Sequence, residues 1–520
     1  MSSFRFPFVL MAAVSLAGCG PRTVSSPSTT ASTKSEGNDA NAKALWASTE
    51  DVLARALLQL QPESFGLYSN TDKPVSLLNT WRQKKNEHAA DEVVPVHAPE
   101  GWQSQVGSDR LAQAKYDLPD AYHIRDALLF HTIAGYLSDR ARDEVLRVNA
   151  VVEFVCRNVS LWKDDETDLP LQPYLALQLG RGSAEDRAWI CTEILRQLRL
   201  DTVIIRSTSD SKARSDKWLF GVLVEQKVYL YDLVLGLSLP GADGVSTCPL
   251  SEIVNHAEWL EALATTKPYR MTVADLQHPE IFVVPASNFW CQRMHDLEQI
   301  LPAQDNCVLY DPLILEGDKK GLLQRIAANG KWSMEELKPW PYPQQQAVAA
   351  AKVTPEAQQE MLRLQQPFLV PIPFSLKDDK PVAGTPERKL QKFRTDQLMG
   401  KFAEATQRYL SIRHLEVEQY PPDLERLNRF AAEDAIYWTG VCKFEMGDYE
   451  KAMEPIAEAL KKYDRKGKWF FPARLLLAQC QAELKQYSAA VKTLERTSSD
   501  DPYRESNAIR VKRWTAAAAK

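Results

Sequence analysis

The sequence predicts an α+β, helix-rich chain: a helix-plus-antiparallel-sheet core followed by an α-helical repeat domain. Three observations predict it. Apolar residues recur at helical spacing in four stretches between residues 52 and 198. Three β-type runs then follow one helix between residues 202 and 233, an order that argues for α+β. Finally, a Gly-x-aromatic signature recurs in the last third. The 520 residues are 44% hydrophobic and 25% charged, ordinary for globular protein and enough for about three domains. With 63 basic and 68 acidic side chains the net charge is -5, which carries no footprint for nucleic acid. The 8 Cys are scattered without a CxxC, which excludes zinc ribbons, thioredoxin-type sites and c-type haem. No cofactor or metal is expected.

The first element is an address. Arg5 precedes a mostly apolar run, Phe6 to Ala17, too short to span a bilayer and suited to a secretory signal. It ends Leu16-Ala17-Gly18-Cys19, which resembles a bacterial lipobox. The resemblance implies cleavage after residue 18, lipid on Cys19, and a periplasm-facing envelope location. Gly20 in place of Asp favours the outer membrane. The alternative is an ordinary secretory signal with an incidental Cys. Gly20 to Ala42 holds nine Ser/Thr and reads as a flexible tether over 19–43.

Residues 44–140 read as helical. Ser48 and Asp51 resemble a capping box ahead of Val52, Leu53, Ala56, Leu57 and Leu60. Two further helices are expected over Ala121 to Arg140 and Asp143 to Val159. Residues 141–245 form the expected core. Gly180 to Asp186 is turn-rich and leads into a helix with Ala188, Cys191, Leu195 and Leu198 on one face. Runs 202–207, 218–224 and 227–233 then read as strands, the last two a hairpin across Glu225-Gln226, a poor turn pair. Residues 246–385 are mixed, with helices expected at Met294 to Leu301 and Pro355 to Leu364 and a Pro-rich linker at the end.

Residues 386–520 hold the repeats. Gly400-Lys401-Phe402, Gly447-Asp448-Tyr449 and Lys485-Gln486-Tyr487 align. Ala405, Ala452 and Ala490 each follow the aromatic by three. Gly440 and Ala478 stand nine before Tyr449 and Tyr487. The pattern resembles the tetratricopeptide unit, with spacings of 47 and 38 in place of 34. Small residues let paired helices approach, and the aromatic fills the gap between units. The resemblance implies a concave face that holds a protein or peptide partner. A plain bundle of helical hairpins is the alternative.

The stretch Gly182-Ser183-Ala184-Glu185-Asp186-Arg187-Ala188, then Ile194 to Leu198 and Val203 to Arg206, resembles the transglutaminase-like, papain-like superfamily. Members carry Gly-x-Cys-x-Asp-x-Ala at the helix start, a His-x-Trp strand, and an Asp on the next strand. The resemblance puts Ala184 at the Cys position, Asp216 at the His position before Trp218, and Asp232 at the Asp position. A one-residue slip would move the His position to Lys217. A methyl group cannot attack a carbonyl, and a thiol nucleophile needs a neighbouring base. The expectation is therefore a degenerate, non-catalytic site; a hydrolase with an unusual nucleophile is the alternative. Ser183 could serve as that nucleophile, but it reads better as a helix cap with Asp186 completing the box. Cys191 reads as core. The acidic cluster Asp164, Asp165, Glu166 and Asp168 lacks EF-hand spacing, and His123 and His131 read as structural. Trp340 reads as a buried Pro-Trp contact rather than a glycan platform.

Overall fold

The computed structural model describes residues 49–520, apart from 67–70, 87–98, 103–109, 112, 164–168, 209–216, 303–304, 318, 370–371, 374–375, 378–379, 382–386, 389, 414–421, 464, 466, 496–497 and 520. The signal peptide, Cys19, the tether, Asp216 and the acidic cluster at 164–168 lie outside the described residues.

Helix α1 covers residues 49–60 and α2 Asp72–Asn86. Helix α3 spans Leu118–Ser138, opened by a capping box between Asp117 and Asp120 with Pro119 in the first turn. Its apolar residues are not confined to one stripe, because it packs on two sides. Ile124 and Leu128 join one core, while Phe130, Ile133 and Leu137 join another. Helix α4, Glu144–Asn158, is capped by Asp143. Strand β1 (Ser160–Leu161) pairs in parallel with β2 (Arg181–Gly182) across α5, Pro173–Leu179. Helix α6 runs Ala184–Gln197.

The sheet contains β3 (Thr202–Arg206), β4 (Trp218–Val224), β5 (Lys227–Asp232), β6 (Leu237–Ser238), β7 (Glu280–Val283) and β8 (Leu337–Pro339), in the order β6-β5-β4-β3-β7-β8. All neighbours are antiparallel except β7 and β8. The sheet thus runs past residue 245: the mixed region supplies two of its six strands. The β4–β5 hairpin turns through Glu225 (φ 48°) and Gln226 (φ 63°), so both residues take the left-handed conformation a tight type I′ turn demands.

Alternation sorts the sheet's two faces. Ile204, Trp218, Phe220, Val222, Tyr231 and Phe282 pack with α4 and α6. Val203, Ile205, Leu219, Leu230 and Ile281 pack with the N-terminal helices and with helix α7, Gln292–Glu298, and α8, Leu322–Gly330. Helices α9 (Tyr342–Ala351) and α10 (Pro355–Leu369) lead to the C-terminal helices.

Those are α11 (Leu390–Leu398), α12 (Phe402–Arg413), α13 (Pro422–Glu445), α14 (Tyr449–Lys462), α15 (Phe470–Glu483), α16 (Tyr487–Glu495) and α17 (Arg504–Ala518). Phe402, Tyr449 and Tyr487 each open the second helix of a pair, in register. Each pair turns through a left-handed residue two places earlier: Gly400 (φ 80°), Gly447 (φ 77°) and Lys485 (φ 60°). A Cβ on Gly440 would lie 2.6 Å from Ile456 Cγ1, so α13 and α14 meet at contact distance there. Among the described residues no helix is long and apolar enough to cross a membrane.

Candidate functional site

The start of α6 is where a transglutaminase-like nucleophile would sit. Ser183 caps the helix: its Oγ accepts from Asp186 N at 3.1 Å, while Asp186 Oδ2 accepts from Ser183 N at 2.8 Å. Gly182 lets the box close, since a Cβ there would lie 2.9 Å from Asp186 Oδ2. Tyr342, the first residue of α9, donates its hydroxyl to Asp186 Oδ1 at 2.9 Å and lies 2.9 Å from Ser183 Oγ. The serine hydroxyl is therefore committed to the cap and to Tyr342; among the described residues its contacts include a carboxylate but no imidazole.

Ala184 is buried, and a cluster of aromatic rings gathers around Tyr342. Tyr342 meets Trp189 edge-on and stacks on Trp340, which in turn lies 6.5 Å from Trp218. Trp340 is held by its own N–H, which donates to Val283 O at 2.8 Å as the chain leaves β8. The Pro339 to Tyr342 segment thus lies over the mouth of α6. Trp340 is buried and presents no open platform.

Asp232 lies on the other face of the sheet. It pairs with Leu237, and its neighbour Tyr231 packs with the α6 side. Its Oδ1 accepts from Leu235 N at 2.9 Å; its Oδ2 accepts from Tyr269 at 2.7 Å and pairs with Arg270 at 2.6 Å. Asp232 thus shares the face of Leu230, while Ala184 packs with the residues of the opposite face. The sequence of β5 does not mark this, because Val228 and Leu230 on one face and Tyr229 and Tyr231 on the other are all apolar or aromatic. Cys191 is fully buried, and burial pushes its thiol well above the ordinary value. His123 meets Leu309 O at 3.0 Å and Phe289 edge-on, and burial pulls its imidazole down to about 4.

The second candidate surface is the inner face of the C-terminal helices. The first helix of each pair faces the chain's own core. On α11, Arg394 is fully buried: it donates to Asn158 Oδ1 at 2.8 Å, to Asn158 O at 3.0 Å and to Leu177 O at 2.8 Å, with its guanidinium 3.5 Å from the centre of the Trp438 ring. On α13, Tyr437 donates to Arg157 O at 3.2 Å. Its Glu445 pairs with Arg140 at 2.7 Å and Arg157 at 2.9 Å. Burial pushes that carboxyl up, and the two guanidiniums more than offset it, leaving it below the usual glutamate value. Beyond α16, Tyr503 accepts from Leu161 N at 3.0 Å. The end of α4, β1 and α5 therefore occupy the surface expected to hold a partner. Sequence reasoning missed this; the one available signal was Arg394, a charge in the apolar row Leu390, Phe393 and Leu398.

A family model described as anaphase-promoting complex, cyclosome, subunit 3, a tetratricopeptide-like repeat family, matches residues 425–497. The match supports tetratricopeptide-like helical repeats over these residues. The match covers the second and third helix pairs, α13 to α16. Repeats of this kind mediate protein–protein interaction. No curated protein and no solved structure matches the chain. In this repeat domain the outward helices keep solvent-facing side chains: Glu450, Lys451, Lys461 and Lys462 on α14, and Ser488, Lys492 and Glu495 on α16.

Proposed function

We propose that the chain is a non-catalytic binding or scaffold protein, a degenerate transglutaminase-like core joined to protein-binding repeats. It is held at the cell envelope, on the outer membrane, by lipid on Cys19. One observation carries the non-catalytic reading. The helix start that would present a nucleophile presents the buried Ala184 methyl, next to a Ser183 hydroxyl held by Tyr342 and Asp186, with Asp232 across the sheet. A nucleophile, a base within hydrogen-bond reach, and an orienting group are what such chemistry needs. The partner surface moves accordingly, from the inner face of the repeats to the outward faces of α14 and α16.

The test is an activity panel on the full chain. Wild type is assayed on peptide and amide substrates beside Ala184→Cys and Ser183→Ala. Wild type is expected to be inactive, and Ala184→Cys to gain nothing, because among the described residues no imidazole contacts the start of α6 to form its thiolate. Turnover by wild type that is lost in Ser183→Ala would establish the alternative hydrolase. For the scaffold role, charge reversal of Lys451, Lys461 and Lys462 together should abolish capture of a specific envelope partner by the intact protein. Retained capture would place the interface elsewhere. Labelled palmitate incorporated by wild type and absent from Cys19→Ser tests the anchor.

A further inference from the structure

The seam between the core and the last helix buries positive charge without a matching carboxylate. Arg187 is on α6 and is almost wholly buried. It donates to Val159 O at 2.9 Å, Leu233 O at 3.0 Å and Cys156 O at 3.3 Å, and reaches the Tyr503 hydroxyl at 3.5 Å. Arg510, on α17, is only 8% exposed. Its Nη2 donates to Gly236 O at 3.1 Å, while its buried Nη1 has no partner. One turn on, Arg513 Nη2 is likewise buried without a partner. Burial pulls Arg510 down to about 10, and the cations Arg513 and Arg187 push the same way.

No carboxylate lies within ion-pair distance of Arg187 or Arg510 among the described residues. Glu153 of α4 faces this seam and acts on Arg510 without pairing with it; it is exposed and pairs with Arg157 at 3.4 Å. Arg157 itself is held by Glu445. Taking a guanidinium out of water costs several kcal/mol unless a counter-charge is supplied. Between Arg187 and Arg510 lies a cavity of about 30 Å³, lined also by Glu153, Arg157, Cys156, Gly236, Leu475 and Tyr503, so three guanidiniums and one carboxylate border it. A water needs about 10–15 Å³ of such space, so the cavity admits a group of a few atoms. Its wall at Leu235, Pro472, Leu475 and Leu476 is apolar.

We propose that this cavity is a binding site for one carboxylate group, received by Arg510 Nη1 beside Arg187, with an apolar substituent against Leu475 and Leu476. The carboxylate comes from a free short-chain acid or from the end of a peptide; both present the same group. A guanidinium with a free N–H is matched to an ionised carboxylate by charge-assisted hydrogen bonding. The apolar wall sets the preference for an organic acid over an inorganic anion.

The test measures binding to the full chain by calorimetry, with sodium acetate, N-acetyl-leucine, N-acetyl-leucinamide and sodium chloride at constant ionic strength. Acetate or N-acetyl-leucine is expected to bind, and the uncharged amide is not. Binding should weaken at least tenfold in Arg510→Gln and be partly rescued in Arg510→Lys. Equal affinity for the two acids assigns a free short-chain acid; a tenfold preference for N-acetyl-leucine assigns a peptide end. As a readout on wild type alone, N-acetyl-leucine should slow alkylation of Cys156 by neutral iodoacetamide, followed by peptide mapping. The proposal is overturned if neither acid binds, if amide or chloride binds as well as the acids, or if Cys156 is unprotected at saturating acid.

Discussion

Replacing Glu445 by Gln tests whether the repeats and the core are one folding unit. Glu445 is the shared partner of Arg140 and Arg157, at 2.7 and 2.9 Å, and its carboxylate is fully buried. Removing one partner of a buried pair costs about 3–5 kcal/mol, because it strands the opposite charge. Two features here pull toward the low end. Arg140 is one-third exposed and can rehydrate, and Arg157 keeps Glu153 at 3.4 Å. The glutamine amide also turns a donor toward one guanidinium, which removes part of that relief. The expected loss is about 3 kcal/mol, roughly two decades in the folding constant. It is read by urea unfolding at pH 7, followed by tryptophan fluorescence; Trp438 and Trp469 report from the α13 and α15 side of the seam. The pH dependence has a definite sign. The folded carboxyl lies below its ordinary 4.5, so its stabilisation is complete above that value and is lost as pH falls through the folded value. The gap between wild type and Glu445→Gln should therefore be constant above about pH 5.5 and close on acidification. A loss under about 0.5 kcal/mol, the size of an ordinary surface change, or a gap that widens in acid, would refute the reasoning.

Two further predictions follow from backbone and burial. Gly447 takes φ 77° with open space around its missing Cβ, so Gly447→Ala should cost about 1 kcal/mol from backbone conformation alone. Lys485 takes φ 60° at the equivalent turn, so Lys485→Gly should gain about 0.5 kcal/mol after the added unfolded-chain entropy; like signs in thermal unfolding would contradict the equivalence. His123 is held neutral, with its value lowered from 6.5 to about 4. The unfolded chain therefore binds the extra proton between those values, and stability falls as pH drops from about 6.5 to 4, by about 3 kcal/mol from this group. His123→Gln should flatten that segment of the stability–pH curve; an unchanged slope would show that the imidazole is not the titrating group.

Elements with local causes were legible in the sequence. The Ser183–Asp186 box, the three strands between 202 and 232, and the in-register starts at Phe402, Tyr449 and Tyr487 each follow from residues a few positions apart. The hairpin at Glu225-Gln226 was legible only as strand, turn, strand; that two ordinary side chains accept positive φ there was set by the pairing of Val224 with Lys227.

What the sequence by itself determined is the series of elements and the chemistry missing from Ala184. Helix periodicity, caps and a methyl group where a thiol is required are properties of single residues and short spacings. What only the tertiary structure decided is what faces what. Asp232 follows Leu230 onto the face away from α6, and the apolar and aromatic residues alternating along β5 do not mark which face is the inner one. Tyr342 reached Ser183 across 159 positions, and Arg394 reached Asn158 across 236. Such contacts are made by packing and leave no local pattern. For the same reason the inner face of the repeats, open to a partner in the sequence, is filled in the folded chain by its own α4, β1 and α5.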